Sequence, residues 1–412
     1  CDWSSDVCSS DLQSLMRMFF PIALAAICCA PMLTACDSRE GETVESAYVL
    51  PPYPDPSYAF KRNGTSSVDY LECSLLSEPL DHIYESYLRG ANVMYAANRL
   101  RVQQYFDAGE FGLAPRQAIA ASPLHRNDSA KVLRDLEELF SATARLSGLG
   151  QPSPSVTRNR RATMGTSGFV GAHIGDVNVA FADERGVVVA ELFPEMVRGA
   201  LYLDKVLNTH LDEALIDDNA LRSAHENGVL LPGRNYTALE HHWDLAYGYY
   251  QFWKPYAETA ALPVLRGSRI ALYNAFARGR QALTEYRYED AREALRIIRR
   301  ELSKVVAVHA MYLLAGERTM ANLEEDVQNA LPFVSQALGA VYALQFTRKD
   351  DGQPHFSYDE TAQLLAQLTA GNGLWDKQRL LGDENTTGSL RAVAQSIGQR
   401  YGLRIADVVR RN

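Results

Sequence analysis

Apolar residues recur at helical spacing along most of this 412-residue chain. Leu80, Ile83, Tyr84, Tyr87, Leu88 and Ala91 share one helix face. Val132, Leu136, Leu139 and Phe140 share another, with Asp128 and Ser129 where an N-cap belongs. A helix follows at residues 194–207. The second half is nearly continuous helix with clear punctuation. Thr237-x-x-Glu240 is a capping box opening a helix through Tyr250, and Ser268 is placed to cap residues 269–284. A long helix runs from Asp290 to Gly316. Asn322 with Glu325 opens the next, which Pro332 should kink, and Ser357-x-x-Glu360 opens another that stops near Gly371. Residues 165–190 break this pattern. Val177 to Phe181 and Gly186 to Val189 are β-branched runs around the turn-like Ala182-Asp-Glu-Arg185, which predicts a hairpin. The expected fold is mainly α: a compact helical-bundle assembly over residues 64–412, divisible into bundles at 64–210 and 211–412, with one inserted β-hairpin.

The N-terminal region changes the picture of where this domain works. Residues 16–35 hold Arg17, an apolar run from Phe19 to Ala30 interrupted by Pro21, and Leu33-Thr34-Ala35 before Cys36. That is the layout of an export signal, too short for a stable membrane span. Leu-Thr-Ala-Cys resembles the lipobox of bacterial lipoproteins, in which the cysteine takes a diacylglycerol and becomes the mature N-terminus. Acyl chains contribute about 0.8 kcal/mol per buried methylene, so a lipidated Cys36 would hold the domain at a membrane. The implied location is the bacterial cell envelope, facing the periplasm or cell surface. Residues 1–15 resemble one reading frame of a sequencing adapter and are set aside as an artefact. Residues 36–63, with Pro51, Pro52, Pro54 and Pro56, read as a flexible tether.

Charge and cysteine content then narrow the partners. The formal net charge is −9, or −7 once residues 1–35, with three Asp and one Arg, are removed. An acidic chain argues against nucleic acid. Of six cysteines only Cys73 lies beyond Cys36, so the mature chain has no internal disulfide, and this thiol reads as buried.

The densest cluster of chemistry-bearing residues is Glu240-His241-His242-Trp243-Asp244. On a helix His241 and Asp244 share a face, and imidazole with carboxylate suits zinc or iron, although one helix supplies only part of a ligand set. Glu240 is also accounted for by capping, and a histidine of this cluster by burial with a hydrogen bond. His309 is the remote candidate. It continues the buried stripe Leu295, Ile298, Leu302, Val306, so it needs a hydrogen-bond partner or a metal. The opposite face (Arg292, Arg296, Arg299, Arg300, Lys304) reads as solvated. No His-Glu-x-x-His, Gly-x-Ser-x-Gly or phosphate-binding glycine loop occurs.

From Tyr58 to about Phe346 the chain resembles a bacterial lipoprotein family without assigned activity, the domain-of-unknown-function family numbered 4856. The resemblance rests on Tyr58-x-Phe60, Ser66-Ser67-Val68-x-Tyr70, Asp183-Glu184-x-Gly186 and Gly199-Ala200-Leu201. Further on come Glu240-His241-His242-Trp243-Asp244-x-Ala246-x-Gly248-Tyr249, then Asn274-Ala275-Phe276-x-x-Gly279-Arg280 and Lys304-Val305-Val306. It implies an exported helical domain and, more loosely, similarity to the imelysin-like proteins of bacterial iron uptake, whose His-x-x-Glu motif His241-x-x-Asp244 approaches with a shorter carboxylate. Residues 279–294 also look like a single tetratricopeptide unit, without a second copy. Three functions stay open. The first is a membrane-anchored binding or accessory protein linked to metal uptake and to envelope uptake proteins. The second is a metal-dependent hydrolase using the same cluster. The third is a helical scaffold for partner proteins.

Overall fold

Capping and apolar spacing set most of the helices. In chain order the longer ones are α1 (Leu71–His82), α2 (Arg99–Ala108), α3 (Ser129–Ser147) and α4 (Val189–Val197). They are followed by α5 (Ala238–Tyr250), α6 (Ser268–Thr284), α7 (Tyr288–Ala315) and α8 (Glu317–Glu325). The last are α9 (Val327–Ala343), α10 (Tyr358–Leu368) and α11 (Leu390–Tyr401). This computed structural model describes residues 52–89, 98–109, 112–148, 159–171, 179–259 and 262–409. The signal segment, Cys36 and the start of the tether lie outside the described residues.

The capping boxes at Thr237/Glu240 and Ser357/Glu360 are both formed, because each hydroxyl accepts from the backbone N–H three residues on while the glutamate returns to the cap N–H. Gly316 follows the last residue of α7. α7 is the central element. Its buried face includes Leu295, Ile298, Leu302 and Val306, and α6, α9 and α11 pack around it. Burying such a side chain contributes about 1.5–3 kcal/mol, which orders the bundle around this helix. α9 in turn packs along α4.

α1 and α4 do not stop at their last α-helical residue. Ile83–Leu88 continues α1 as a π-helix, and Arg198–Leu203 and Lys205–His210 continue α4 in the same form. A π turn inserts a residue and shifts side chains out of α register, commonly at functional sites. Gly199 shows why α4 tolerates it here: a Cβ at this position would lie 2.6 Å from the Ala343 Cβ and 2.7 Å from its Cα. Only glycine lets the two backbones approach so closely.

Several expectations are corrected. The hairpin pairs β3 (Gly168–Val170) with β4 (Ala180–Ala182), not residues 177–181 with 186–189. Gly186 closes the turn at φ 83°, and Val189 already opens α4. A second small hairpin, β1 (Lys61–Arg62) with β2 (Thr65–Ser66), lies where the tether was expected. From Pro52 onward the supposed tether is docked: the Tyr53 N–H donates to Asn274 Oδ1 and Arg278 donates to the Pro52 carbonyl. The described residues all fall within one compact unit, as a single helical domain over 64–412 requires, without the further division at 210. The segment after Gly316 holds two helices, with α9 capped by Asp326 instead of opening at Asn322. Arg299, expected in solvent, is buried and donates to Glu213 and the Asp350 carbonyl. Cys73 is buried, as expected, with its thiol against the Leu245 carbonyl. No helix among the described residues is long and apolar enough to cross a membrane.

Candidate functional site

α5 carries the residues in which the sequence concentrated its chemistry, and folding distributes them among different partners. Glu240 completes the capping box and also takes a two-pronged contact from Arg62 at 2.9 and 3.1 Å. Arg280 of α6 bridges the two α5 carboxylates. Its Nη1 donates to Glu240 at 3.0 Å, its Nε to Asp244 Oδ1 at 2.9 Å, and its Nη2 to the Ser67 carbonyl at 3.2 Å. The Tyr58 hydroxyl donates to the same Asp244 oxygen at 2.9 Å. Arg280 is completely buried, with the Phe60 ring 5.1 Å from the guanidinium carbon. One oxygen of Asp244 therefore faces both an arginine and a phenol.

The electrostatics of the two carboxylates differ. Burial opposes ionisation of Glu240, but Arg280, the Thr237 N–H and Arg62 outweigh it and hold its carboxyl below the usual range. For Asp244 burial wins over Arg280 and Tyr58, pushing the carboxyl up to about 7. Its Oδ2 is buried with no donor, which accounts for the difference. An unfolded aspartate titrates near pH 3.9. Between about pH 4 and 7 the folded protein thus holds a proton that the unfolded chain has released, so this group's contribution to stability falls as pH rises through that window. Asp244→Asn removes the titration while keeping an acceptor for Tyr58. Urea denaturation at pH 5 and pH 8 should show the variant losing less stability with rising pH than the wild type, and parallel losses would show that Asp244 does not titrate there.

The histidines part company. His241 stacks on Tyr236, ring centroids 4.7 Å apart, and its buried Nδ1 has no hydrogen-bond partner. His242 instead meets His210, the last residue of the π-helical stretch, Nδ1 to Nδ1 at 3.0 Å, so one ring donates and the other accepts. Burial pushes His242 down to about 4 and His210 well below its usual value. His309 Nε2 donates at 3.1 Å to Glu195 of α4, a fully buried carboxylate that also receives Gln336 and is ion-paired with Arg198 at 2.5 Å. Burial alone would raise the Glu195 carboxyl, yet Arg198 and His309 hold it well below the usual range. The structure does not bring His241, Asp244 and His309 together. Among the described residues no group of three or more His, Cys, Asp or Glu could hold a metal ion.

Two further constellations were not anticipated. Ser122, His125 and Asp204 are buried together, but they are not a nucleophilic triad. The Ser122 hydroxyl and His125 Nδ1 both engage Asp204 Oδ1, at 2.6 and 2.9 Å, while His125 Nε2 is at 3.0 Å from the Gln345 carbonyl. A triad needs the serine on the ring nitrogen opposite the carboxylate. The second is a cleft of 320 Å³ between α3, α4, α9 and α10, lined largely by apolar side chains including Leu192, Met196 and Leu338. Glu138 and Thr361 also line it, but its most closely held polar group is Asp135, whose Oδ2 accepts from the Tyr342 hydroxyl at 2.7 Å and the Tyr358 hydroxyl at 2.9 Å. Burial, and then Asp135 itself, hold both phenols above their ordinary value, so both remain donors. In the sequence, Asp135 lies between Val132 and Leu136, at a position that a helical wheel assigns to the boundary of the apolar face. Its two tyrosines lie more than two hundred residues away, and no local pattern joins them.

Comparison with known proteins adds an identity without an activity. No curated protein and no solved structure matched this chain. The family described as domain of unknown function (DUF4856) matches residues 55–404, reaching well beyond Phe346 and including α10 and α11. The match covers most of the chain, and with it both the α5–α6 network and the Asp135 cleft: the chain belongs to the DUF4856 family.

Proposed function

We propose that this protein is a lipid-anchored, exported binding protein of the bacterial envelope, and that it holds an apolar molecule bearing a hydrogen-bond donor in the Asp135 cleft. The cleft carries the reading. Its 320 Å³ falls at the lower end of small-molecule sites, and a few oriented polar groups in an apolar lining are the usual arrangement for fixing a ligand's polar end: here Asp135 is held by two tyrosines, while Glu138, the other carboxylate of the lining, is exposed. The two tyrosine donors hold the carboxylate in place, and an ionised carboxylate retains acceptor capacity for a ligand donor. The lipobox at Cys36 supports the envelope address. The metal-uptake and hydrolase readings depend on a ligand set at His241 and Asp244, but one oxygen of that carboxylate is engaged by Arg280 and Tyr58, and no group of three or more His, Cys, Asp or Glu among the described residues could hold a metal ion.

Two measurements test this. Ala362 is exposed at the rim of the cleft on α10, so Ala362→Trp should narrow the site without disturbing the core. The neutral dye N-phenyl-1-naphthylamine, apolar with one N–H donor, should bind wild type and lose affinity by at least about tenfold in the variant, the equivalent of 1.4 kcal/mol. Equal binding by both proteins would remove the cleft from the reading. Cys36→Ser should leave the membrane fraction after detergent-free lysis, and membrane recovery like that of wild type would remove the lipid anchor.

A further inference from the structure

A second pocket, of 140 Å³, lies where the π-helical continuation of α1 meets that of α4. Both walls are built at junctions between α and π geometry. Asp81 and Tyr84 straddle the start of the first π stretch, and Arg198 and Tyr202 belong to the second. Phe252, just past the end of α5, stacks on Tyr202 with ring centroids 3.9 Å apart and closes the pocket with an aromatic surface.

Two opposite charges line this space without meeting. The Arg198 guanidinium is held from behind. Its Nη1 is ion-paired with Glu195 at 2.5 Å, and its carbon lies 4.6 Å over the Tyr256 ring and 5.9 Å over that of Trp253. Glu195 is fixed in turn by His309 and Gln336. A guanidinium has five N–H donors, and one carboxylate oxygen uses only part of that capacity. Asp81 stands at the pocket's exposed side, and among the described residues it has neither a hydrogen bond nor an ion pair. It senses Arg198 electrostatically, but the two do not approach to ion-pair distance.

The surroundings select the kind of molecule that would bridge them. Glu85 and Glu78 lie near Asp81, and Glu191 near Tyr84, so a simple anion at Arg198 would meet acidic neighbours. A simple cation at Asp81 would leave the free edge of Arg198 unused. A molecule carrying both charges adds no net charge and serves both ends. The volume is about five times the 30 Å³ share of one liquid water, which is room for a compact molecule and not for a peptide or sugar. We propose that this pocket binds a small zwitterion of the α-amino acid class, its carboxylate on Arg198, its ammonium on Asp81 and its side chain against Tyr84, Tyr202 and Phe252.

The test uses the full chain in mild detergent, titrated calorimetrically with glycine, alanine, serine and valine, and with propionate and ethylamine as the two halves of alanine. At least one amino acid should bind with a dissociation constant of about 1 mM or tighter, and each half-molecule should bind at least about tenfold more weakly than alanine. Asp81 is exposed, so Asp81→Asn should keep the wild-type melting temperature. The variant should lose at least about tenfold in amino-acid affinity, as expected for one charge-assisted contact, while propionate binding changes little. Tyr84→Trp should fill the pocket and abolish amino-acid binding while keeping the helical circular dichroism of wild type. The proposal is overturned if none of the four amino acids binds at about 10 mM, a concentration ten times the expected constant. It is equally overturned if propionate binds as tightly as alanine, or if Asp81→Asn leaves amino-acid affinity unchanged.

Discussion

Replacing Arg280 with methionine should lower the free energy of unfolding by about 3–5 kcal/mol, the usual cost of removing one member of a buried ionic network. The side chain has no exposed surface and bridges Glu240 on α5, Asp244 on α5 and the Ser67 carbonyl of the N-terminal segment. Methionine can fill similar space, so the loss is electrostatic rather than a cavity. Glu240 would keep Arg62 and its capping contacts, whereas Asp244 would keep only the Tyr58 hydroxyl. Urea denaturation at pH 7, followed by tryptophan fluorescence, measures the loss. The combined variant Glu240→Gln/Asp244→Asn/Arg280→Met should recover part of it, because neutral groups leave no buried charge behind. A loss below about 1 kcal/mol for Arg280→Met would place the network among ion pairs of little consequence.

Trp243→Ala should cost a similar amount, about 3–5 kcal/mol, for a different reason. The indole abuts the α6 backbone at Gly279, where an added Cβ would be 1.9 Å from its Cζ2. Its Nε1 donates to the Phe276 carbonyl at 2.9 Å, so it cannot slide aside. Alanine at 243 would open a cavity between α5 and α6 in the region that also orients Arg280. The complementary change, Gly279→Ala, should cost about 1–3 kcal/mol by overpacking, and less in a Trp243→Phe background, where the smaller ring leaves room. Such non-additivity is the signature of direct contact. Strict additivity in the double-mutant cycle would mean that the two residues do not constrain each other.

Both predictions concern residues in the resemblance blocks Glu240–Tyr249 and Asn274–Arg280, and they recast what those blocks do. The sequence placed Glu240, His241 and Asp244 together because helical spacing is a local property. It did not show that Arg280, Arg62 and Tyr58 converge on two of them, because those partners come from two other segments, residues 58–62 and α6. The one hint was Arg280 itself, a charge among the small and apolar residues of the α6 pattern. Glu195 had a similar hint, an acid between Phe193 and Met196 in an apolar run. His309 was read correctly as a buried histidine in need of a partner, and its partner is that unforeseen Glu195.

Local physics explains what the sequence by itself determined: the mainly α class, the capping boxes at Thr237 and Ser357, the Gly316 stop and the buried stripe of α7. Each depends on groups within a few residues of one another, where backbone hydrogen bonding and side-chain spacing act alone. Tertiary structure decided the rest. It paired β4 with residues 168–170, because strand partners are chosen by packing over distance rather than by the nearest β-branched run. It drew residues 52–63 onto α5 and α6, since Tyr53 gains a partner on α6, and Tyr58 and Arg62 gain partners on α5, that a free tether lacks. It also bent α1 and α4 into π geometry, where Gly199 presses on Ala343, and set Asp81 across a pocket from Arg198. Those arrangements follow from the close packing of whole helices, a constraint that no single stretch of the chain contains.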